Sequence, residues 1–197
     1  VRSFLKSCCR GFAILLVAPL LATHIVLSRL SSPDGSLEAH SQCLSCLPGL
    51  LGSYLRVGFY RFALAKCSPT ATISFGVLFS KVTACIDEHV YIGPHCMLGS
   101  VTLERDVLLG PHVQIPSGPH THGIERLDVP IRHQPGCPQR ITVGQDSWIG
   151  AGSIVLADIA TQTVVAAGAV VTKPQPPRTI IGGCPAKVLR HREDAPP

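Results

Sequence analysis

This 197-residue sequence predicts an all-β fold, a parallel β-helix of short stacked strands. Three observations point to it. The first is a period of six: aliphatic residues recur at Ile86, Ile92 and Leu98, at Leu103, Leu109 and Ile115, at Val143, Ile149 and Val155, and at Val165 and Val171. A helix repeats near 3.6 and a flat strand at 2, whereas six suits a chain that turns a corner after every short strand. The second is the residue beside each corner. Glycine follows the aliphatic at Gly93, Gly99, Gly110, Gly144 and Gly150, and small or β-branched residues stand four places on, as at Cys96, Thr102, Val113, Ser147, Ser153 and Ala169. Little else fits there, and glycine relieves the backbone. The third is composition: 46% hydrophobic, but only 5% aromatic and 15% charged. That is sparse for a soluble globule and natural for thin coils filled by Val, Ile, Ala and Gly.

From the N-terminal end, the elements begin with residues 1–66, an apolar helical segment. Arg2, Lys6 and Arg10 precede an uncharged run from Gly11 to Ser28 that Arg29 closes, at the lower limit for a membrane span. Pro19 predicts a kink. A second apolar block, Leu44 to Ala65, holds Pro48, Gly49, Arg56 and Arg61. The two blocks suit a re-entrant, interface-lying or hairpin arrangement with cations at the headgroups; a buried helix and an export signal are the alternatives. Residues 56–66 (RVGFYRFALAK) read as a short amphipathic helix covering the open edge of the first coil.

The β-helix domain is expected over 67–192, beginning with Ile73 and Phe79. The seven-residue step to Ile86 and the five-residue step from Leu98 to Leu103 read as local slips. Residues 116–140 break the rhythm with five prolines and form an inserted loop, a length that is usually functional. The coil resumes at Ile141, and the stretch between Val155 and Val165 is shortened by two residues. TIIGG then forms a last strand and Pro185 opens a short C-terminal helix, AKVLRHRE, with 193–197 as a tail.

Nine cysteines at irregular spacing give no disulfide framework, and Cys43 and Cys46 form a lone CxxC. Free thiols in a reducing compartment are expected, with Cys85 and Cys96 as small core residues. The net charge of +5 is spread thinly, which argues against nucleic acid as a partner.

The runs IDEHVYIGPHCMLG, VLLGPHVQI, ITVGQDSWIGAGSIV and VVAAGAVVTK resemble the hexapeptide-repeat acyltransferases, and IIGGCPAKVLR resembles the end of the maltose and galactoside O-acetyltransferase branch. The resemblance spans roughly residues 70 to 192. It implies a left-handed β-helix, assembly as a homotrimer with sites between subunits, and acetyl-CoA as co-substrate with no metal. Transfer to a hydroxyl then needs a base, oxyanion donors and a slot for the thioester, with no covalent nucleophile.

Histidine in the long loop is the natural base, and His120 and His122 are the candidates. Counting from Ile115, the maltose branch matches His120 and related xenobiotic acetyltransferases match His122. Asp128, Glu125 or a backbone carbonyl would orient the ring, and His133 reads as a solvated loop histidine. On the cofactor side, the resemblance assigns Trp148 as a slot wall. It places Ala151 and Ala167 beside the pantetheine arm, and Thr172, Lys173, Lys187 and Arg190 near the phosphates. The acceptor contacts of the family have no counterpart in MLGSVTLERD. A hydroxylated glycan, lipid-linked or nascent, is the acceptor class expected of a cytoplasmic enzyme attached to the inner face of a membrane. Two alternatives compete: a γ-carbonic-anhydrase-like zinc hydrase, since His95 and His112 each follow Gly-Pro and lie one coil apart, and a noncatalytic scaffold.

Overall fold

Six-residue spacing becomes three flat faces in the computed structural model, which describes residues 2–194. The first coil is β1 (Lys66–Cys67), β2 (Thr72–Ile73) and β3 (Leu78–Phe79). The second is β4 (Cys85–Ile86), β5 (Tyr91–Ile92) and β6 (Met97–Leu98), and the third is β7 (Val101–Leu103), β8 (Leu108–Leu109) and β9 (Gln114–Ile115). After the inserted loop come β10 (Ile141–Val143), β11 (Trp148–Ile149) and β12 (Ile154–Val155), then β13 (Val164–Val165), β14 (Val170–Val171) and β15 (Thr179–Gly183). Face A stacks β1, β4, β7 and β10. Face B stacks β2, β5, β8, β11, β13 and β15, and face C stacks β3, β6, β9, β12 and β14. This is the expected left-handed parallel β-helix. Each two-residue strand points its second residue inward, so Ile73, Phe79, Ile86, Ile92, Leu109, Ile115, Ile149 and Val155 are fully buried.

The edges explain the rhythm. Steps from face A to B (Ile86 to Ile92, Leu103 to Leu109, Val143 to Ile149, Ile159 to Val165) are all six, as are steps from B to C. Apart from the A–B edge of the first coil, both edges turn on one left-handed residue per coil: His89, Asp106, Asp146, Gln162 and Arg178 on the A–B edge, and Gly76, His95, His112, Gly152 and Gly168 on the B–C edge, with φ between 54° and 75°. Most of their amides donate to a carbonyl of the coil before, for example His112 N–H to Pro94 at 2.9 Å and Asp146 N–H to Arg105 at 3.1 Å. Adjacent coils touch so closely that a Cβ on Gly150 would stand 2.5 Å from the Ala167 amide nitrogen. Every irregularity lies on the third edge, C to A: the slips after Phe79 and Leu98, the whole 116–140 loop, and the short return from Val155 to Ile159, which bridges Val143. What read as scattered bulges is a single variable edge.

Three helices precede the coils: α1 (Arg2–Leu30), α2 (Pro33–Ser45) and α3 (Gly49–Ala63). α1 continues through Pro19, which is exposed. The second apolar block is not one segment; it is divided at Cys46–Pro48 between α2 and α3. Ser32 caps α2 by accepting from Gly35 N–H at 2.9 Å, with Pro33 at the first helical position.

As expected, α3 covers the first coil, and α2 shares the task. Arg56, fully buried, donates from Nε to the Ile73 carbonyl (3.0 Å) and from Nη1 to those of Leu44 (3.0 Å) and Leu47 (2.7 Å). Ser41 Oγ accepts from Phe79 N–H at 2.8 Å, and the Ser45 carbonyl accepts from Gly76 N–H at 3.0 Å. The open peptide edge of a β-helix must find partners, and here two helices supply them. The side chains of Arg2 and Lys6, and residues 195–197 of the expected tail, lie outside the described set.

Two expectations need correcting. The expected C-terminal helix is a strand, β16 (Ala186–His191), folded antiparallel onto β15 and followed by a single 3-10 turn, Arg192–Asp194. Face B ends with an open strand edge at β15, and Gly183, at φ 98°, lets the chain double back to fill it. Cys85 is not a core residue: it is the half-exposed first residue of β4, while Cys67 and Cys96 are the buried thiols. All the described cysteines are free, Cys43 and Cys46 included.

Candidate functional site

The inserted loop is built, not slack. Its limbs are zipped where the Ser117 carbonyl accepts from Gln139 N–H (2.8 Å) and the His120 carbonyl from Cys137 N–H (2.7 Å). Ser117 Oγ accepts from Ser100 N–H at 2.9 Å and so pins the root to the neighbouring turn. Gln134 is the loop's own core. Buried, it accepts from Arg126 N–H (3.0 Å) and donates to the carbonyls of Arg126 (2.6 Å) and Val129 (2.8 Å). On this frame His120 and His122 are both exposed and stand two apart on one limb.

The carboxylates proposed to orient them are engaged elsewhere. Asp128 takes both hydrogen bonds of Arg126, at 3.1 and 2.5 Å, and the guanidinium holds its carboxyl below the usual range. Glu125 accepts from Ile124 N–H at 3.0 Å. His133 is exposed and accepts from Arg132 Nε at 3.1 Å. The loop tip also presents Ile124, Leu127 and Ile131 to solvent, Leu127 completely.

The residues assigned to the cofactor fall into two groups. Trp148 leads β11 and points outward from face B, 53% exposed, in a row with Leu108 and Val164. Ala151 and Ala167 follow on the B–C edge one coil apart, joined where the Ala151 carbonyl accepts from Gly168 N–H at 2.9 Å. Beside them, a Cβ on Gly152 or Gly168 would meet nothing within 4 Å. This is a strip of small residues open to solvent. Lys187 and Arg190, exposed on β16, close the far end of face B, opposite Gly182 and Ile180.

Thr172 and Lys173 do not join this group. They lie exposed just past β14 on the C–A edge, the same edge that carries the histidine loop. The C–A edge is across the triangular prism from face B, so the indole and the loop imidazoles lie on different sides of the protomer. Sequence reading missed this division, although the run of six-residue steps broken at every third one would have revealed it.

His95 and His112 do stack on successive coils, as the zinc alternative requires, but both are exposed corner residues. Among the described residues no three His, Cys, Asp or Glu side chains group as metal ligands.

No family model matches the sequence. A putative acetyltransferase of Schizosaccharomyces pombe is 38% identical over 96 residues, covering 48% of this chain and 44% of that protein. The putative lipopolysaccharide biosynthesis O-acetyl transferase WbbJ of Escherichia coli is 30% identical over 125 residues, 58% of this chain and 61% of that one. The resemblance is to acetyltransferases. The solved maltose O-acetyltransferase of Clostridium difficile superposes with a TM-score of 0.68 at 19% identity, covering 82% of this chain and 89% of that one. An N-acyltransferase of Bacillus cereus, solved with coenzyme A, gives 0.53 at 13% identity, over 61% and 70% of the two chains. The likeness to these two is one of fold. The chain spans about half the length of the first curated relatives it matches.

Proposed function

We propose that the protein is an O-acetyltransferase that moves an acetyl group from acetyl-CoA to a hydroxyl of a glycan or polysaccharide precursor. The observation that carries this reading is the zipped loop. A rigid excursion that presents two exposed imidazoles from an otherwise regular β-helix has no role in holding the coils together. The relatives named above supply the reaction class, and the solved N-acyltransferase complex supports coenzyme A as the carrier.

The residues present fit that donor. Trp148, Ala151 and Ala167 would flank the thioester arm, Lys187 and Arg190 would meet its phosphates, and Thr172 and Lys173 would approach it from a neighbouring subunit. Acetyl-CoA supplies an already activated acyl group. His120, with His122 as the alternative, takes the proton of the acceptor hydroxyl as oxygen attacks the thioester carbon; the C–S bond breaks, and CoA leaves as its thiolate, which takes that proton from the imidazolium. Because the loop and face B lie on different sides of one protomer, the reading includes a homotrimer in which the loop of one subunit meets face B of the next. The name of the E. coli relative supports a glycan acceptor, and the apolar α1 supports a cytoplasmic enzyme held at the inner face of a membrane.

The test is CoA release from acetyl-CoA with a panel of glycan acceptors. His120→Ala lowers kcat by about 10²-fold or more with little change in the KM for acetyl-CoA, and His122→Ala does much less. Undiminished turnover in both variants sinks the mechanism, and no turnover of the unmodified chain on any acceptor sinks the function.

A further inference from the structure

α1 is apolar on every side, yet the protein uses only one. Its inward stripe is Ala13, Val17 and His24, buried against α2 and α3. A polar clasp fastens it: His24 Nδ1 lies 2.9 Å from Ser36 Oγ, His40 Nε2 lies 2.9 Å from Thr23 Oγ1, and both imidazoles pack on Phe59. The opposite stripe at helical spacing carries Phe12, Leu15, Val26 and Leu30, exposed by 59%, 72%, 54% and 78%. A helix that is hydrophobic all round is ordinarily enclosed by protein or by lipid.

Cys9–Leu30 is long and apolar enough to cross a bilayer, with a mean hydropathy of 2.1. Crossing would tear the stripe from α2 and α3, undo the clasp and bare Phe59, which is fully buried. Charge decides between lipid and a second copy. No acidic residue precedes Asp34, whereas Arg2, Lys6, Arg10 and Arg29 flank the apolar run. Arg10 and Arg61 line one cleft between α1 and α3. A second copy would bring the same cations, and like charges repel; anionic headgroups complement them.

We infer that α1 lies in the plane of one anionic leaflet as a one-sided anchor, its outer stripe among the acyl chains while its inner stripe stays docked on α2 and α3. This rests on the membrane attachment proposed above and names its mode and its lipid; it does not depend on acetyl transfer.

The experiment is flotation of the chain with vesicles of phosphatidylcholine alone and of phosphatidylcholine mixed with phosphatidylglycerol. The expected result is recovery about tenfold higher on the mixed vesicles, reversed by high salt and by alkaline carbonate. Leu15→Glu combined with Val26→Glu should abolish flotation at an unchanged melting temperature, since both side chains are exposed. Carbonate-resistant binding would overturn the in-plane mode while leaving attachment intact. Absence of flotation would overturn both. A doubly substituted chain that still floats, or that loses oligomeric mass instead of lipid binding, would give the stripe to another occupant and overturn the inference.

Discussion

The imidazoles of His95 and His112 lie face to face, their centroids 5.0 Å apart and their planes 10° from parallel. Each occupies the left-handed corner of its coil, at φ 59° and 58°, with Gly76 one coil below and Gly152 one coil above. Left-handed geometry costs an ordinary L residue about 1–2 kcal/mol, and a β-branched one more. His112→Gly should therefore change thermal stability little, the lost stacking offset by relief of strain. His112→Val should lower it by about 1–2 kcal/mol, read from the denaturation midpoint. Equal midpoints for the two variants would mean that the corner does not hold this conformation in solution.

Two of the thiols are sealed. Burial pushes Cys67 up to about 12 and Cys96 up to about 11, and the Cys96 Sγ–H donates to the Gly110 carbonyl at 3.2 Å. Cys9, Cys43, Cys46, Cys137 and Cys184 are exposed. Thiolate is the reactive form, so at pH 8 Cys96 would be ionised about one part in a thousand even if reagent reached it. Iodoacetamide on the native protein should modify the exposed five within minutes and spare Cys67 and Cys96 until denaturant is added. Mass spectrometry of the digest reads the difference.

Ile86, Ile92 and Leu98 disclose their inward positions because the six-residue period depends only on how each coil meets the next. Trp148 was legible for the same reason: a residue just before an inward aliphatic must face out. Ala186–His191 was not, since its residues suit a helix and became a strand only because β15 leaves an open edge. Asp128 was equally illegible as a partner of Arg126, because that pairing depends on how the loop closes. Gln134 looked like an ordinary polar loop residue; only zipped limbs turn its amide into a core. Local repetition is written in sequence, whereas capping and loop closure are decided by neighbours that folding supplies.

His24 makes docking of α1 sensitive to acid. Burial, and secondarily His40, lowers its pKa below the ordinary imidazole value of 6.5. The unfolded or undocked chain then binds the proton more readily than the docked one. The stabilisation is thus fully present above about pH 6.5 and is lost progressively as pH falls below it. Relative to the intrinsic rate, which itself falls with pH, hydrogen exchange of the α1 amides should show a growing excess from pH 7 to pH 5, while amides of face B show none. His24→Phe should remove the excess. An excess that persists in that variant would place the sensitive group elsewhere.

Gln134 tests whether the loop's rigidity serves chemistry. Its three hydrogen bonds hold Arg126 and Val129 together inside the loop and leave the β-helix core untouched. Gln134→Ala should leave the melting temperature nearly unchanged, because the coils do not depend on the loop. A base displaced by an ångström loses on the order of 10²-fold in rate, so kcat should fall between tenfold and a hundredfold while the KM for acetyl-CoA holds. Gln134→Glu keeps the acceptor oxygen for Arg126 N–H but sets a buried carboxylate oxygen against the carbonyls of Arg126 and Val129, and should be at least as damaging. If kcat survives Gln134→Ala while limited proteolysis shows the 116–140 segment newly cleaved, the loop opens without consequence, and neither His120 nor His122 is the group that takes the proton.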